Sequence, residues 1–315
     1  MTTNDRLTVA VTGPTGEIGR AFLRALDRHR DVGRVLGMAR REFDPSALGL
    51  RKTEYRQGDV LDRDAVDALA EEADVLVHLA FIIMGGREET RAVNLEGSRN
   101  VFAAAAAARN LKRLVYTSSV AAYGFHADNP QPLTEDVQPR GSERFYYSAQ
   151  KAELERVLEE ETAWTDLEVY VLRPCIVAGP DAPMLRRQIP LAPGPLPTLL
   201  PAPGTPFQLV HHDDVASALV AASRGAGSPG AYNLAGEGTV TLGDVVHALG
   251  GHTFPFPRRL LDIAALGVRL PLVPPRAQWI SAGRVPTVMD TTKARRELRW
   301  RPRFDSRETL RELVS

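Results

Sequence analysis

Short apolar runs alternate with stretches of helical periodicity through the first half of the chain. Leu7–Val11 reads as a buried strand, and beyond it Ile18, Phe22, Leu23 and Leu26 recur at the spacing of one helical face. Further strands are predicted at Val35–Ala39, Thr53–Gly58, Asp74–Ala80, Arg113–Thr117 and Leu167–Leu172, with helices at Arg63–Glu72 and over the alanine-rich Val93–Asn110. The unbroken run Ala103–Ala108 favours helix and close packing and carries no chemistry. This alternation predicts an α/β fold: a Rossmann-like, doubly wound parallel sheet with helices on both faces. The pattern changes after Pro174. Gly179–Pro206 is rich in proline and glycine and reads as an irregular loop of the kind that binds ligands. Strand-like Phe207–Val210 and Ala231–Leu234, a helix at Val215–Ala222, and a charged amphipathic helix with a final capped segment from Thr291 onward complete the chain.

Between the first strand and the first helix lies Thr12-Gly13-Pro14-Thr15-Gly16-Glu17-Ile18-Gly19. Gly13 allows a sharp turn, Gly16 lets the backbone approach a pyrophosphate, and Gly19 lets the helix pack closely on the sheet. Backbone N–H groups at the helix start, reinforced by the macrodipole, would receive the anion. A dinucleotide site is therefore expected at Gly13, Thr15, Gly16, Glu17, Ile18 and Gly19. The expected organisation is a dinucleotide-binding domain over residues 1–174, which also receives strands from about 207–235, and a smaller substrate-binding lobe built mainly from 175–315.

Composition narrows the classes. The 315 residues carry 39 Lys plus Arg and 39 Asp plus Glu, so no net field draws the chain to nucleic acid or an anionic membrane. Cys175 is the single cysteine, which excludes intramolecular disulfides and cysteine-based metal sites. No apolar run approaches the roughly 18 residues of a membrane span, and the amino terminus lacks a signal-peptide core. A soluble cytoplasmic protein with a small-molecule substrate is expected.

Tyr147 and Lys151 stand four apart, on one face of a predicted helix. An ammonium beside a phenol favours the phenolate and suits the tyrosine to proton transfer. The spacing alone is common on exposed helices; its place after five strand–helix units gives it weight. Thr117-Ser118-Ser119 begins at the carboxyl end of a predicted strand, where open α/β sheets bind ligands, and a serine there could hold a substrate oxygen.

Taken together, these segments resemble the extended short-chain dehydrogenase/reductase family, of the NAD-dependent epimerase/dehydratase type, over nearly the whole chain. Gly58-Asp59-Val60-Leu61-Asp62 resembles its adenine-contact segment, Leu79-Ala80 its loop under the nicotinamide ribose, and Asn94–Asn100 its Asn-x-x-Gly-Thr-x-Asn helix. Arg173–Pro180 and Val210–Ala216 resemble two later signatures. The resemblance implies that Tyr147 is the general acid/base, that Lys151 lowers its pKa and binds the nicotinamide ribose, and that Asn94 supports the lysine through water. It selects Ser119, five residues before Gly124, as the serine that positions the substrate oxygen. It adds Asp59, Val60, Leu79, Ala80, Thr117, Pro174, Ile176 and Val177 to the coenzyme set, and Phe81, Val120 and Cys175 to the substrate side. A homodimer through paired helices is compatible with the alanine-rich helix.

The second strand ends in Ala39-Arg40-Arg41, with no carboxylate at its tip. Arg40 and Arg41 could pair with a 2′-phosphate, so NADP is favoured, while Glu42 keeps NAD open. No metal is expected: His78 reads as a core residue, and His211-His212 before two aspartates as structural. The favoured reading is an NAD(P)-dependent oxidoreductase acting on a secondary alcohol or ketone. The apolar Phe81–Met84 and the loop Pro183–Pro206 lean toward a hydrophobic substrate. A nucleotide-sugar epimerase, with Arg186, Arg187 or Arg276 on the diphosphate, is the alternative. Sugar dehydration is disfavoured because Val120-Ala121 stands where an acidic pair is expected, and a non-catalytic dinucleotide sensor because Ser119, Tyr147 and Lys151 are all present.

Overall fold

In β1 (Leu7–Thr12), Val9 and Val11 face one hydrophobic layer and Ala10 the other, all three without solvent exposure. Such burial on both sides marks a central strand of a parallel sheet. A computed structural model, which describes residues 6–83, 90–143, 145–182, 184–185, 197–202, 204–257 and 285–315, places it there. The further strands are β2 (Val32–Ala39), β3 (Thr53–Gln57), β4 (Val75–His78), β5 (Arg113–Thr117), β6 (Glu168–Pro174), β7 (Ile176–Ala178), β8 (Thr198–Ala202), β9 (Leu209–His211), β10 (Gly230–Leu234) and β11 (Thr253–Pro257). Seven of them form one sheet in the order β3-β2-β1-β4-β5-β6-β10, with every neighbouring pair parallel.

The sheet is covered on both faces. Helix α1 (Glu17–Arg28) and the His212–Ser223 helix bury Phe22, Leu26, Val215 and Leu219 against Val9, Val11 and Leu172. Helix α2 (Arg63–Glu71), the Gly97–Ala107 helix and the Tyr146–Thr162 helix bury Leu69, Phe102, Leu154 and Val157 against Ala10, Leu36 and Leu114. A third apolar cluster, including Ala178, Leu209, Val245, Leu310 and Leu313, supports the smaller lobe. Among the described residues no helix is long and apolar enough to cross a membrane.

Several boundaries differ from the sequence reading for local reasons. β4 stops at His78, leaving Leu79 and Ala80 as loop, and the alanine-rich helix opens with a π-helical turn at Ala92–Glu96. Of the two later strand-like segments, Gly230–Leu234 joins the main sheet, whereas Leu209–His211 pairs with Ile176–Ala178 in a separate two-stranded sheet. Within the proline-rich stretch expected to be irregular, Thr198–Ala202 pairs in parallel with Thr253–Pro257. Each strand of a two-stranded sheet has an outer edge that needs no ladder donor, so prolines are tolerated. The tail forms the Thr292–Glu297 and Ser306–Val314 helices, the second opened by a reciprocal Asp305–Glu308 capping box.

His78 is a titratable residue buried within this core. Its Nδ1 meets Thr12 Oγ1 at 2.7 Å and its Nε2 meets Ser98 Oγ at 2.8 Å, so both ring nitrogens are satisfied. Burial pulls its pKa from 6.5 down to about 3. The unfolded chain therefore binds a proton that the folded chain refuses, and the associated stability, full above about pH 6.5, is lost as pH falls toward about 3. Denaturant unfolding measured across that window should show this slope, and His78→Gln should flatten it.

Candidate active site

The loops that leave the carboxyl edge of the sheet bring most of the expected residues together. Gly13 follows β1 with φ of 76°, and an added Cβ would stand 2.7 Å from Ala80 N and 2.9 Å from Leu79 C. The turn above β1 is thereby pressed against the loop after β4. Gly19 is equally constrained, since its Cβ would lie 2.6 Å from Gly13 O. Gly16 is different: a Cβ there would meet only Gly13 O, at 3.5 Å, and the residue is exposed. It is the N-cap of α1 and offers no side-chain cap, so the helix start presents open space and backbone N–H groups of the kind that suit a phosphate. Thr15, Glu17 and Ile18 are partly exposed around the same turn. Asp59 accepts the Leu61 N–H at 3.1 Å, and Val60 is buried against Gly97. Arg40 and Arg41 are exposed beyond β2, as is Glu42, and among the described residues no carboxylate pairs with either guanidinium.

The Tyr146–Thr162 helix presents Tyr147 and Lys151 one turn apart, both buried. The Tyr147 hydroxyl is hydrogen-bonded to Ser119, which begins the short 3-10 turn Val120–Tyr123 and also accepts the Ala121 N–H at 3.2 Å. Lys151 Nζ donates to Thr117 O at 2.8 Å and to Tyr116 Oη at 3.3 Å, and lies over the Phe81 ring, 3.8 Å from its centroid. A desolvated ammonium–ring contact of this kind contributes about 2 kcal/mol. Thr117 Oγ1 is buried without a hydrogen-bond partner at the same strand end. The open Gly16 cradle and this unmatched oxygen fit a dinucleotide lying along the edge.

Burial dominates the electrostatics. It pushes the Tyr147 phenol up to about 12, against the opposing pull of the Ser119 hydrogen bond. It pulls the Lys151 ammonium down to about 7, opposed by the Glu155 carboxylate. The expectation that Lys151 lowers the tyrosine pKa is thus not met: burial sets the direction of the shift, the opposing pull comes from Ser119, and the phenol keeps its proton at neutral pH. Asn94 is buried. Its Nδ2 donates to Ile82 O at 2.9 Å and Gln150 Oε1 at 2.8 Å, while its Oδ1 accepts the Ile82 N–H at 2.8 Å. It clamps the loop that carries Phe81 to the helix that carries Lys151.

Other expected residues separate into distinct places. Ser118 donates to Glu155, which leaves Ser119 as the serine facing Tyr147. Val120 and Cys175 pack in the main core. Cys175 is 5% exposed with its thiol pushed up by burial, so its expected place on the substrate side gives way to packing. Pro174 ends β6, while Ile176 and Val177 form β7 beside it, half-buried. His211 Nδ1 caps the following helix by accepting the Asp213 N–H at 3.3 Å. The His211–His212–Asp213 group has metal-like spacing, but Gly179 presses on it: a Cβ there would lie 2.2 Å from His212 Nδ1 and 2.9 Å from His211 Nε2. Met84, Pro183, Arg186, Arg187 and Arg276 lie outside the described residues. Sequence reasoning missed Tyr116 and Glu155; the second lies four residues after Lys151, a spacing that could have revealed it.

A model of the NAD dependent epimerase/dehydratase family matches residues 9–235. The chain is 26% identical over 326 residues to an uncharacterized protein of Sinorhizobium fredii, covering 97% of this chain and 77% of that one. Over 123 residues it is 37% identical to a ceramide reductase of Caulobacter vibrioides, covering 39% and 38% of the two chains. The crystal structure of UDP-glucuronic acid 4-epimerase from Bacillus cereus in complex with NAD has the same fold, with a TM-score of 0.73 and 17% identity over 98% of this chain and 97% of that one.

The two helix-start glycines should respond differently to alanine. Gly19→Ala forces backbone apart and should cost about 1–3 kcal/mol of stability. Gly16→Ala should change stability by about 0.5 kcal/mol or less yet weaken dinucleotide binding about tenfold or more. Denaturation curves and coenzyme titration by fluorescence or calorimetry separate the two effects.

Proposed function

Because the chain belongs to the NAD dependent epimerase/dehydratase family, we propose that it is a dinucleotide-dependent oxidoreductase that interconverts a secondary alcohol and a ketone on a largely apolar substrate. The observation that carries this reading is the surrounding of Tyr147. Phe81 lies edge-on to its ring at 5.6 Å and Phe145 lies tilted to it at 5.8 Å, with Ile83, Phe125 and Tyr146 in the same cluster. The polar groups around this wall are already engaged: Tyr146 donates to Ile83 O, Ser142 Oγ accepts the Phe125 N–H, and His126 Nε2 bonds Gly141 O. Ser119 and Tyr147, hydrogen-bonded to each other, are the pair that addresses a substrate oxygen, and among the described residues the rest of the wall favours hydrocarbon over sugar hydroxyls. The local relative named a ceramide reductase accords with that chemistry.

The nicotinamide, when bound, supplies or accepts a hydride at the substrate carbon. This chain holds the coenzyme through the Gly13–Gly19 turn, Asp59, Val60, Leu79, Ala80, Thr117, Pro174, Ile176 and Val177. Ser119 orients the substrate oxygen toward Tyr147 Oη. Tyr147, protonated in the free protein, donates its proton as the oxygen gains charge and recovers it in the reverse direction. Lys151 supplies positive charge one helical turn from the phenol and would offer an N–H to the coenzyme ribose. Arg40 and Arg41, exposed and without carboxylate partners among the described residues, favour NADP through a 2′-phosphate. Likeness to a UDP-glucuronic acid 4-epimerase supports a second reading, internal oxidation and reduction at a sugar carbon.

A panel of long-chain and aryl ketones, with UDP-sugars as the competing set, decides between them through the absorbance of reduced nicotinamide and product analysis. Net consumption of coenzyme with the apolar ketones supports the oxidoreductase; epimerised sugar without net consumption supports the second reading. Tyr147→Phe should lower turnover by about 10²–10⁴ while leaving coenzyme affinity nearly unchanged. Arg40→Ala should raise the KM for NADPH about tenfold, the size of one charge-assisted hydrogen bond, with little effect on the KM for NADH.

A further inference from the structure

We propose that Glu155 is a positioning residue of this site: its carboxylate ties together the segments bearing Lys151, Ser119 and Pro174 and serves as the counter-charge of the Lys151 ammonium. The inference rests on the assignment of Tyr147, Ser119 and Lys151 as the reacting centre. Glu155 and Arg173 form a buried ion pair, with side chains 9% and 6% exposed. Arg173 donates through Nε at 3.1 Å to Oε1 and through Nη2 at 2.6 Å to Oε2. Ser118 Oγ donates to Oε1 at 2.5 Å. The carboxylate thus accepts from the residue next to Ser119 and from the residue next to Pro174 while standing one turn beyond Lys151 on its own helix.

The arrangement is anchored outward as well. Arg173 Nη1 donates to Tyr123 Oη at 2.9 Å, and Tyr123 donates to Asn233 Oδ1 at 2.7 Å, so the network reaches β10. Its position determines which charges Lys151 feels. From its own helix come Glu155 and, one turn before, Tyr147, from β5 Tyr116 and from β4 His78, while Arg173 of β6 reaches it through its pairing with Glu155. Tyr116 and Tyr147 are held protonated and His78 is neutral, which leaves Glu155 as the negative charge in this set.

The test is a lysine titration in the full chain without coenzyme, following ¹³C-labelled side-chain signals by NMR and assigning Lys151 by its loss in Lys151→Arg. Glu155→Gln should lower the Lys151 midpoint by about one pH unit, the effect of removing one close opposite charge. Arg173→Gln should raise it, and Glu155→Asp should restore it toward the parent value. A midpoint unmoved in Glu155→Gln, or moved the same way by both neutral variants, overturns the proposal. Should Glu155→Gln fail to fold, the sign of the Arg173→Gln shift decides, and a downward or absent shift overturns it. Ser118→Ala keeps both charges, so it should leave the midpoint in place while lowering kcat about tenfold, with the coenzyme KM unchanged; an unaltered kcat removes the Ser119 part of the proposal. If the parent protein turns over no ketone or sugar, the hydride-transfer reading fails while the titration still reports on Glu155.

Discussion

The contact on which the site depends is the approach of two backbones, Gly13 above β1 and Leu79-Ala80 beyond β4. An added methyl group would stand only 2.7 Å from Ala80 N, so the two loops are held at a spacing that only a residue without a side chain permits. Phe81 follows directly and lies over the Lys151 ammonium, while Asn94 fastens Ile82 on both its N–H and C=O. A chain of short-range constraints therefore runs from the glycine turn to the lysine. Displacing one end would move the other, because packed backbone does not yield gradually.

The interior holds an unusual amount of polar chemistry for a sheet buried on both faces. Lys151, Arg173, Glu155 and His78 would each be costly alone in such surroundings. Each is matched: the lysine by Thr117 O, Tyr116 and an aromatic face, the arginine by a carboxylate, the histidine by two hydroxyls. Matching does not cancel desolvation, and the protonation states reflect that. The phenol holds its proton and the ammonium is poised near neutrality, so the free protein stores an acid beside a cation that responds to whatever enters next to it.

The fold was legible in the sequence wherever apolar runs were long enough to be buried on both faces. β1, β5 and β6 and the glycine turn fall where the pattern predicts, because strand burial and backbone approach are written directly in residue type. Leu209–His211 was harder, since an apolar triplet says nothing about which sheet accepts it. Thr198–Ala202 was harder still, because its proline argues against a ladder and only an outer edge removes the objection. In the site, Tyr147, Lys151 and Ser119 could be read from spacing and family resemblance. The pKa of Tyr147 could not, because it depends on how deeply the hydroxyl is buried rather than on which residues lie near it in sequence. Glu155 and Arg173 stand 18 residues apart, and their pairing is created by a helix returning to the sheet.

The last strand of the sheet has a consequence for anyone wishing to exchange substrate preference between relatives. The chain leaves the sheet at Pro174 and comes back to it at Gly230, pairing Gly230–Leu234 along the whole of Tyr170–Pro174. The intervening polypeptide is therefore stitched in at two seams, and cutting after the first would strip the outer neighbour from β6 and bare its hydrogen-bonding edge. A graft must carry both seams, or the acceptor loses the margin of its own scaffold along with the loops it was meant to receive.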